Sequence, residues 1–227
     1  MNRYINFSKI NIENLKLPLT ITFMVSLSQL IQMAIMLIIQ STDSIIIGIG
    51  NFFLMNLVMF PIFTSIKNFR KFLNLGMKKE DFKYGKLFFY TNVSIITALL
   101  NILFYFIEKN LLINTSLTYI NLLDIFGWFN FGLIGCIIYQ TFAYLVLMYF
   151  VDFLTISNHH LIGWITSGIL IAFVSVFSSI RILRIWFGQM LKFILFNENI
   201  LMQIIIDLSI IIALFIINNW FIQKKEL

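Results

Sequence analysis

Six apolar runs of about twenty residues, separated by short polar links, constrain this chain more than any other feature of its sequence. They are Pro18 to Gln40, Ser44 to Ile66, Leu87 to Ile107, Phe126 to Phe150, Leu161 to Ile180 and Leu201 to Phe221. A bilayer core about 30 Å thick takes about 20 helical residues, so each run is long enough to cross it. Within hydrocarbon every backbone N–H and C=O needs a partner in its own segment, which makes such runs helices. At 60% hydrophobic and 11% charged residues, the chain departs from soluble domains, where those shares run about 45–50% and 25%. The sequence therefore predicts an all-α integral membrane protein of six transmembrane helices, with residues 1–227 forming a single membrane domain.

Orientation follows from the basic residues, because short basic loops stay on the cytoplasmic side. Arg3, Lys9 and Lys16 precede the first run, and Lys224 and Lys225 follow the sixth. Between the second and third runs stand seven more: Lys67, Arg70, Lys71, Lys78, Lys79, Lys83 and Lys86. Both termini and this loop are expected in the cytoplasm, with Glu108 to Ile125 outside and Asp152 to His160 inside. Ser41-Thr42-Asp43 then makes a tight outer hairpin. No small-residue cleavage site follows the basic N-terminal stretch, so the first run is expected to stay as a membrane helix. The richness in Ile, Asn, Lys and Phe points to an AT-rich bacterial genome, and hence to a bacterial plasma membrane. The net charge of +6 lies at the ends of apolar runs, as topology signals do, and excludes a nucleic-acid groove.

Two segments break the plain pattern of runs and links. Residues 180–199 place Arg181, Arg184 and Lys192 on the outer side among Ile182, Leu183, Trp186, Phe187, Met190 and Leu191. A segment that amphipathic lies in the interface or re-enters the membrane. Residues 1–16 mix Tyr4, Ile5, Phe7, Ile10, Ile12 and Leu15 with charges, and predict an interfacial helix on the inner leaflet.

Catalytic chemistry is thinly supplied. His159 and His160 are neighbours, whose side chains point apart on a helix and make a poor metal site. Ser167 has no later histidine to activate it, and Cys136, the one cysteine, excludes an intramolecular disulfide. No phosphate-cradling motif is present. A non-catalytic chain without a cofactor or metal of its own is expected.

Polar residues inside the runs mark where helices meet something other than lipid. Thr22, Ser26 and Gln29 form a stripe on helix one, and Gly168, Ala172, Ser175 and Ser179 a small-residue face on helix five. These two faces are candidates for a translocation path or a subunit contact. Asp207 stands well inside the sixth run, where an ionisable side chain is a functional hypothesis by default; a structural role, hydrogen-bonded to neighbouring helices, is the alternative.

The basic loop between runs two and three is more than a topology signal. Ile66, Phe69, Phe72, Leu73 and Leu75 alternate with Lys67, Arg70 and Lys71, which predicts a short amphipathic helix over 66–76. Gly76 suits its C-terminus, and Glu80 and Asp81 suit the first turn of the next helix. The stretch Phe72-Leu73-Asn74-Leu75-Gly76-Met77-Lys78-Lys79-Glu80-Asp81-Phe82 resembles the pattern after the coupling helix in permease subunits of type-2 ABC exporters. Met77 stands where that family commonly has a small hydroxyl residue, and Lys78 where it has arginine. The resemblance implies a second permease subunit, identical or not, and a separate ABC ATPase carrying ATP and Mg. It implies that Arg70, Lys71, Phe72, Leu75, Gly76, Met77, Lys78, Lys79, Glu80, Asp81 and Phe82 form the ATPase-docking element. The cargo it implies is lipophilic or amphipathic: a peptide, an antibiotic or a lipid. Two other readings fit six helices of this length, the substrate-binding subunit of an energy-coupling-factor vitamin importer and a non-transporting bacteriocin-immunity protein.

Overall fold

A computed structural model of the chain describes residues 7, 11, 15–39, 45–113, 115, 117–158, 160–195, 197 and 199–224. The predicted Ser41-Thr42-Asp43 hairpin, His159, Lys225 and most of the predicted N-terminal helix lie outside these residues. Helix α1 runs Lys16–Ile39, strand β1 Ile45–Ile47, a 3-10 turn Ile49–Phe53 and α2 Leu54–Phe63. A π turn, Thr64–Asn68, leads without a break into α3, Phe69–Asn74. Then come α4 Lys79–Leu112, β2 Thr118–Ile120, α5 Leu122–Ile125, a 3-10 turn Trp128–Phe131, α6 Gly132–Ser157, α7 Leu161–Ser179, α8 Arg181–Leu195 and α9 Ile200–Lys224.

Among the described residues, five helical segments are long and apolar enough to cross a membrane: Lys16–Ile39, Ile49–Ile66, Lys79–Leu112, Trp128–Ser157 and Ile200–Lys224. The predicted fifth span is different. It breaks after Ser179, where Ile180 is extended, and α8 turns away from α7 by 115°. Counted as one span, that bent pair makes six. The predicted segment 180–199 is thus helical over Arg181–Leu195.

The second predicted run does not begin as a helix. Ile45, Ile46 and Ile47 form β1, paired in parallel with Thr118, Tyr119 and Ile120 of β2. Consecutive β-branched and aromatic residues favour a pleated strand when a partner is in reach. A two-stranded ribbon is therefore added to the all-α plan.

Helix α6 sits at the centre, packed on α2, α4 and α9. The interior it helps to build is polar on one face of each helix. On α4, Lys86, Tyr90, Ser94, Thr97, Asn101, Tyr105 and Glu108 are all buried, at the three- and four-residue spacing of a single helical face. Ile96, Leu99, Leu103 and Phe106 are exposed on the opposite side. Polar inside and apolar outside is the arrangement a hydrocarbon solvent selects.

Phe7 and the last turn of α9 lie at the same end of this bundle. Phe7 stacks on Phe72 of α3, with ring centroids 4.4 Å apart, and Lys79 Nζ donates to the Gln223 carbonyl at 3.0 Å. At the opposite end lie the ribbon and the start of α9, where the Asn197 N–H donates to the Tyr139 hydroxyl at 3.1 Å.

Candidate functional site

The segment from Thr64 to Phe82 forms an elbow that joins α2 to α4, and local sequence accounts for each bend in it. Pro61 has no N–H to offer the Leu57 carbonyl. Three residues on, the helix widens into the π turn, which buries Thr64, Ser65 and Asn68. Gly76 ends α3 at φ +79°, a left-handed conformation that glycine adopts without strain. The Met77 N–H donates to the Phe72 carbonyl at 3.1 Å and the Gly76 N–H to the Leu73 carbonyl at 2.9 Å, the paired bonds of a Schellman stop. Glu80 and Asp81 fall in the first turn of α4, as the sequence predicts.

Aromatic packing fixes the elbow to the bundle. The Phe82 ring lies 5.1 Å from Phe69, 5.5 Å from Phe7 and 5.9 Å from Phe72. Phe7 rests against Gly85, where an added Cβ would come within 2.8 Å of its ring. Asn68 Nδ2 donates to Asn11 Oδ1 at 2.5 Å, and Asn11 Nδ2 to the Phe7 carbonyl at 3.1 Å. The predicted docking set therefore divides. Phe72 and Phe82 are buried as its foundation, while Lys71, Leu75, Gly76, Lys78 and Glu80 are exposed. Met77, Lys79 and Asp81 are half-buried, and Arg70 lies on α3.

Immediately behind the elbow is a charge cluster whose members lie inside helices and not in the loops that hydropathy predicts. Lys86, read as a loop residue, lies inside α4; Asp152, read as the start of a loop, lies inside α6. They form an ion pair whose side chains are 3% and 0% exposed. Asp152 also accepts from the Ser65 hydroxyl, from Tyr90 Oη at 3.3 Å and from Asn218 Nδ2 at 3.0 Å. Lys86 Nζ reaches Ser65 Oγ at 3.2 Å and lies 5.6 Å from the centroids of both Phe82 and Tyr90. One carboxylate thus ties the π turn, α4, α6 and α9. Buried charges are stable when paired and hydrogen-bonded to this extent. The four-residue step from Phe82 through Lys86 to Tyr90 was a sequence signal that Lys86 faces inward.

Further along, the interior is cross-linked by neutral groups. Asn101 Nδ2 donates to Gln140 Oε1 at 3.1 Å and to Tyr144 Oη at 3.0 Å, and Ser94 Oγ lies 3.5 Å from Met148 Sδ. At the far end Glu108, read as a loop residue, is buried in α4. It accepts from the Ile49 N–H at 2.8 Å and from the Tyr119 hydroxyl at 2.7 Å. Burial and that bond to Glu108 hold the Tyr119 phenol well above its ordinary range.

The remaining predicted residues fall in three places. Thr22, Ser26 and Gln29 are buried, and Thr22 Oγ1 donates to Asn56 Oδ1 at 2.9 Å. Gly168, Ala172, Ser175 and Ser179 are exposed on α7. The two stripes are not brought together: α1 packs chiefly on α2 and its 3-10 turn, and α7 on α6 and α8. Asp207 is 1% exposed and accepts from Gln203 Nε2 at 2.9 Å on its own helix, with no described partner for Oδ2. Among the described residues no three His, Cys, Asp or Glu side chains are grouped to share a metal ion. No family model, no curated protein and no solved structure matches this chain.

Proposed function

We propose that this chain is the transmembrane subunit of an ATP-driven exporter, moving a lipophilic or amphipathic substrate across or out of a bacterial membrane. ATP and Mg are bound by a separate ATPase subunit, and catalysis belongs to that partner. In this reading the elbow and both termini face the cytoplasm, the bent α7–α8 pair supplies the sixth span, and a second permease subunit completes the transporter. The exposed faces of α1 and α7 are among the surfaces available to it.

One observation carries the reading: the elbow is packed against the bundle on its inner side and exposed on its outer side. Helix α3 continues α2 through the π turn without a break, Phe82 locks it to α4, and the Asp152 cluster ties α4 to α6 and α9. A load applied at Leu75 and Lys78 therefore reaches most of the bundle through packed contacts.

The test is co-purification in mild detergent from cells expressing a tagged chain. An ATPase subunit bearing a Walker motif is expected with the wild type and lost with the double variant Leu75→Asp, Lys78→Glu, at unchanged membrane levels of the chain. Two changes are used because one exposed ion pair contributes only about 0–1 kcal/mol. Absence of such a subunit from the wild type, or equal recovery with the double variant, overturns the proposal.

A further inference from the structure

A groove of about 330 Å³ opens between α1, α2 and α4. Its walls are apolar and aromatic, with Leu15, Leu19, Phe53, Phe60, Ile96 and Leu100 among them, and none of the described residues that line it is charged. Leu19, Phe88, Ile96 and Leu100 border it and are 42%, 45%, 55% and 37% exposed on the lipid-facing surface, so the groove opens sideways to the bilayer.

Two buried polar side chains line this groove with bonding capacity left over. Asn56 is 8% exposed; its Oδ1 accepts from Thr22, and its Nδ2 has no partner among the described residues. Thr97 is 6% exposed, and its hydroxyl likewise has none. Thr97 belongs to the inward polar stripe of α4, between Ser94, which contacts Met148, and Asn101, which is bonded to Gln140 and Tyr144. Its neighbours on the stripe are bonded into the bundle, while Thr97 meets the groove. Concave sites with apolar walls and a few convergent polar groups are how proteins bind small ligands.

We propose that this groove binds one acyl chain of an uncharged amphiphile, entering laterally from the bilayer. The amphiphile's ester, amide or hydroxyl group bonds to Asn56 Nδ2 and the Thr97 hydroxyl. An unlined charge at this depth would be unmatched, which excludes a fatty-acid anion or a quaternary amine from the polar position. The site does not depend on the exporter reading: it concerns ligand binding by the isolated chain.

Photolabelling tests it. The full chain, purified in phosphatidylcholine nanodiscs without any ATPase, is exposed to a monoacylglycerol carrying a diazirine on its acyl chain, and adducts are mapped by mass spectrometry. Saturable labelling is expected at Phe53, Ile96 and Leu100, competed by unlabelled monoacylglycerol and absent with the corresponding fatty-acid anion at alkaline pH. Thr97→Val keeps the shape, removes the hydroxyl and is expected to weaken labelling about fivefold, the effect of one neutral hydrogen bond. Leu100→Trp at the lipid-facing mouth is expected to abolish it, and stands in should Thr97→Val fail to fold. Labelling spread evenly over α7 and α9, failure of competition, equal labelling by the anion, or unchanged labelling of folded Thr97→Val and Leu100→Trp overturns the site. Because no ATPase is present, these outcomes are independent of the co-purification result.

Discussion

Lys86 and Asp152 lie 66 positions apart in the chain and form one ion pair sealed from solvent between α4 and α6. Removing one member leaves an uncompensated charge among apolar and aromatic groups. Lys86→Met or Asp152→Leu is therefore expected to destabilise the protein by about 3–5 kcal/mol, whereas the double variant, which removes both charges, recovers most of that loss. Unfolding monitored in detergent compares the three. A double variant as unstable as the sum of the singles would show that the pair is not what holds these helices.

Gly50, in the 3-10 turn before α2, approaches α4 so closely that an added Cβ would lie 1.9 Å from Asn101 Oδ1. Gly50→Ala is expected to cost about 1–3 kcal/mol by overpacking. Asn101→Ala removes the obstacle together with the bonds to Gln140 and Tyr144, so it is destabilising by itself. The double variant is then expected to lose less than the two singles together, because the Asn101 side-chain clash is absent from it and only the 3.0 Å approach to the Asn101 Cα remains. Strict additivity in that cycle would refute the close approach.

Sequence legibility followed the range of the interactions. The stop at Gly76, the acidic first turn at Glu80 and Asp81, and the inward face of Thr22, Ser26 and Gln29 are set by local conformation or by one helix's own periodicity, and each was readable. Hydropathy alone places Lys86, Glu108 and Asp152 in loops, because it treats every charge as an end. What holds them inside helices is a partner contributed by a distant segment. Helix α4, with 34 residues, is about 50 Å long and overruns a core of about 30 Å, which leaves room for charges within its ends. The strand at Ile45–Ile47 was missed for a related reason. A short run of isoleucine fits helix and strand alike, and β2, the segment that decides, lies some seventy residues downstream.

Tyr119 sits outside the membrane-spanning helices and donates to Glu108 at 2.7 Å. Burial, then the bond to Glu108, raises its folded-state pKa above the unfolded value of about 10. The folded protein thus keeps a proton that the unfolded chain releases above that pH, so stability is full below it and falls as pH rises. Tyr119→Phe removes this dependence. Wild type and variant should converge in stability as pH rises above about 10, since only the wild type carries the phenol. Parallel stability curves through that range would exclude Tyr119 as a contributor.

Topology offers the most direct check on the architecture, because the bent pair alone decides whether the chain crosses an even number of times. The ring of His160, just before α7, packs at a tilt against Phe221 near the end of α9, with centroids 5.5 Å apart, whereas Asn197, just after α8, bonds to Tyr139 near the start of α6. In the six-span reading, α7 and α8 together carry the chain from the elbow end of the bundle to the ribbon end, despite the 115° turn between them. Cys136 is buried, so a Cys136→Ser background suits labelling with a membrane-impermeant maleimide. Cysteines replacing Lys78 and Lys224 are expected to label from one side of the membrane, and those replacing Thr118 and Asn199 from the other. Labelling of the Lys78 and Asn199 positions from the same side would mean that the pair returns without crossing, and the packing of Asn197 against Tyr139 could not stand.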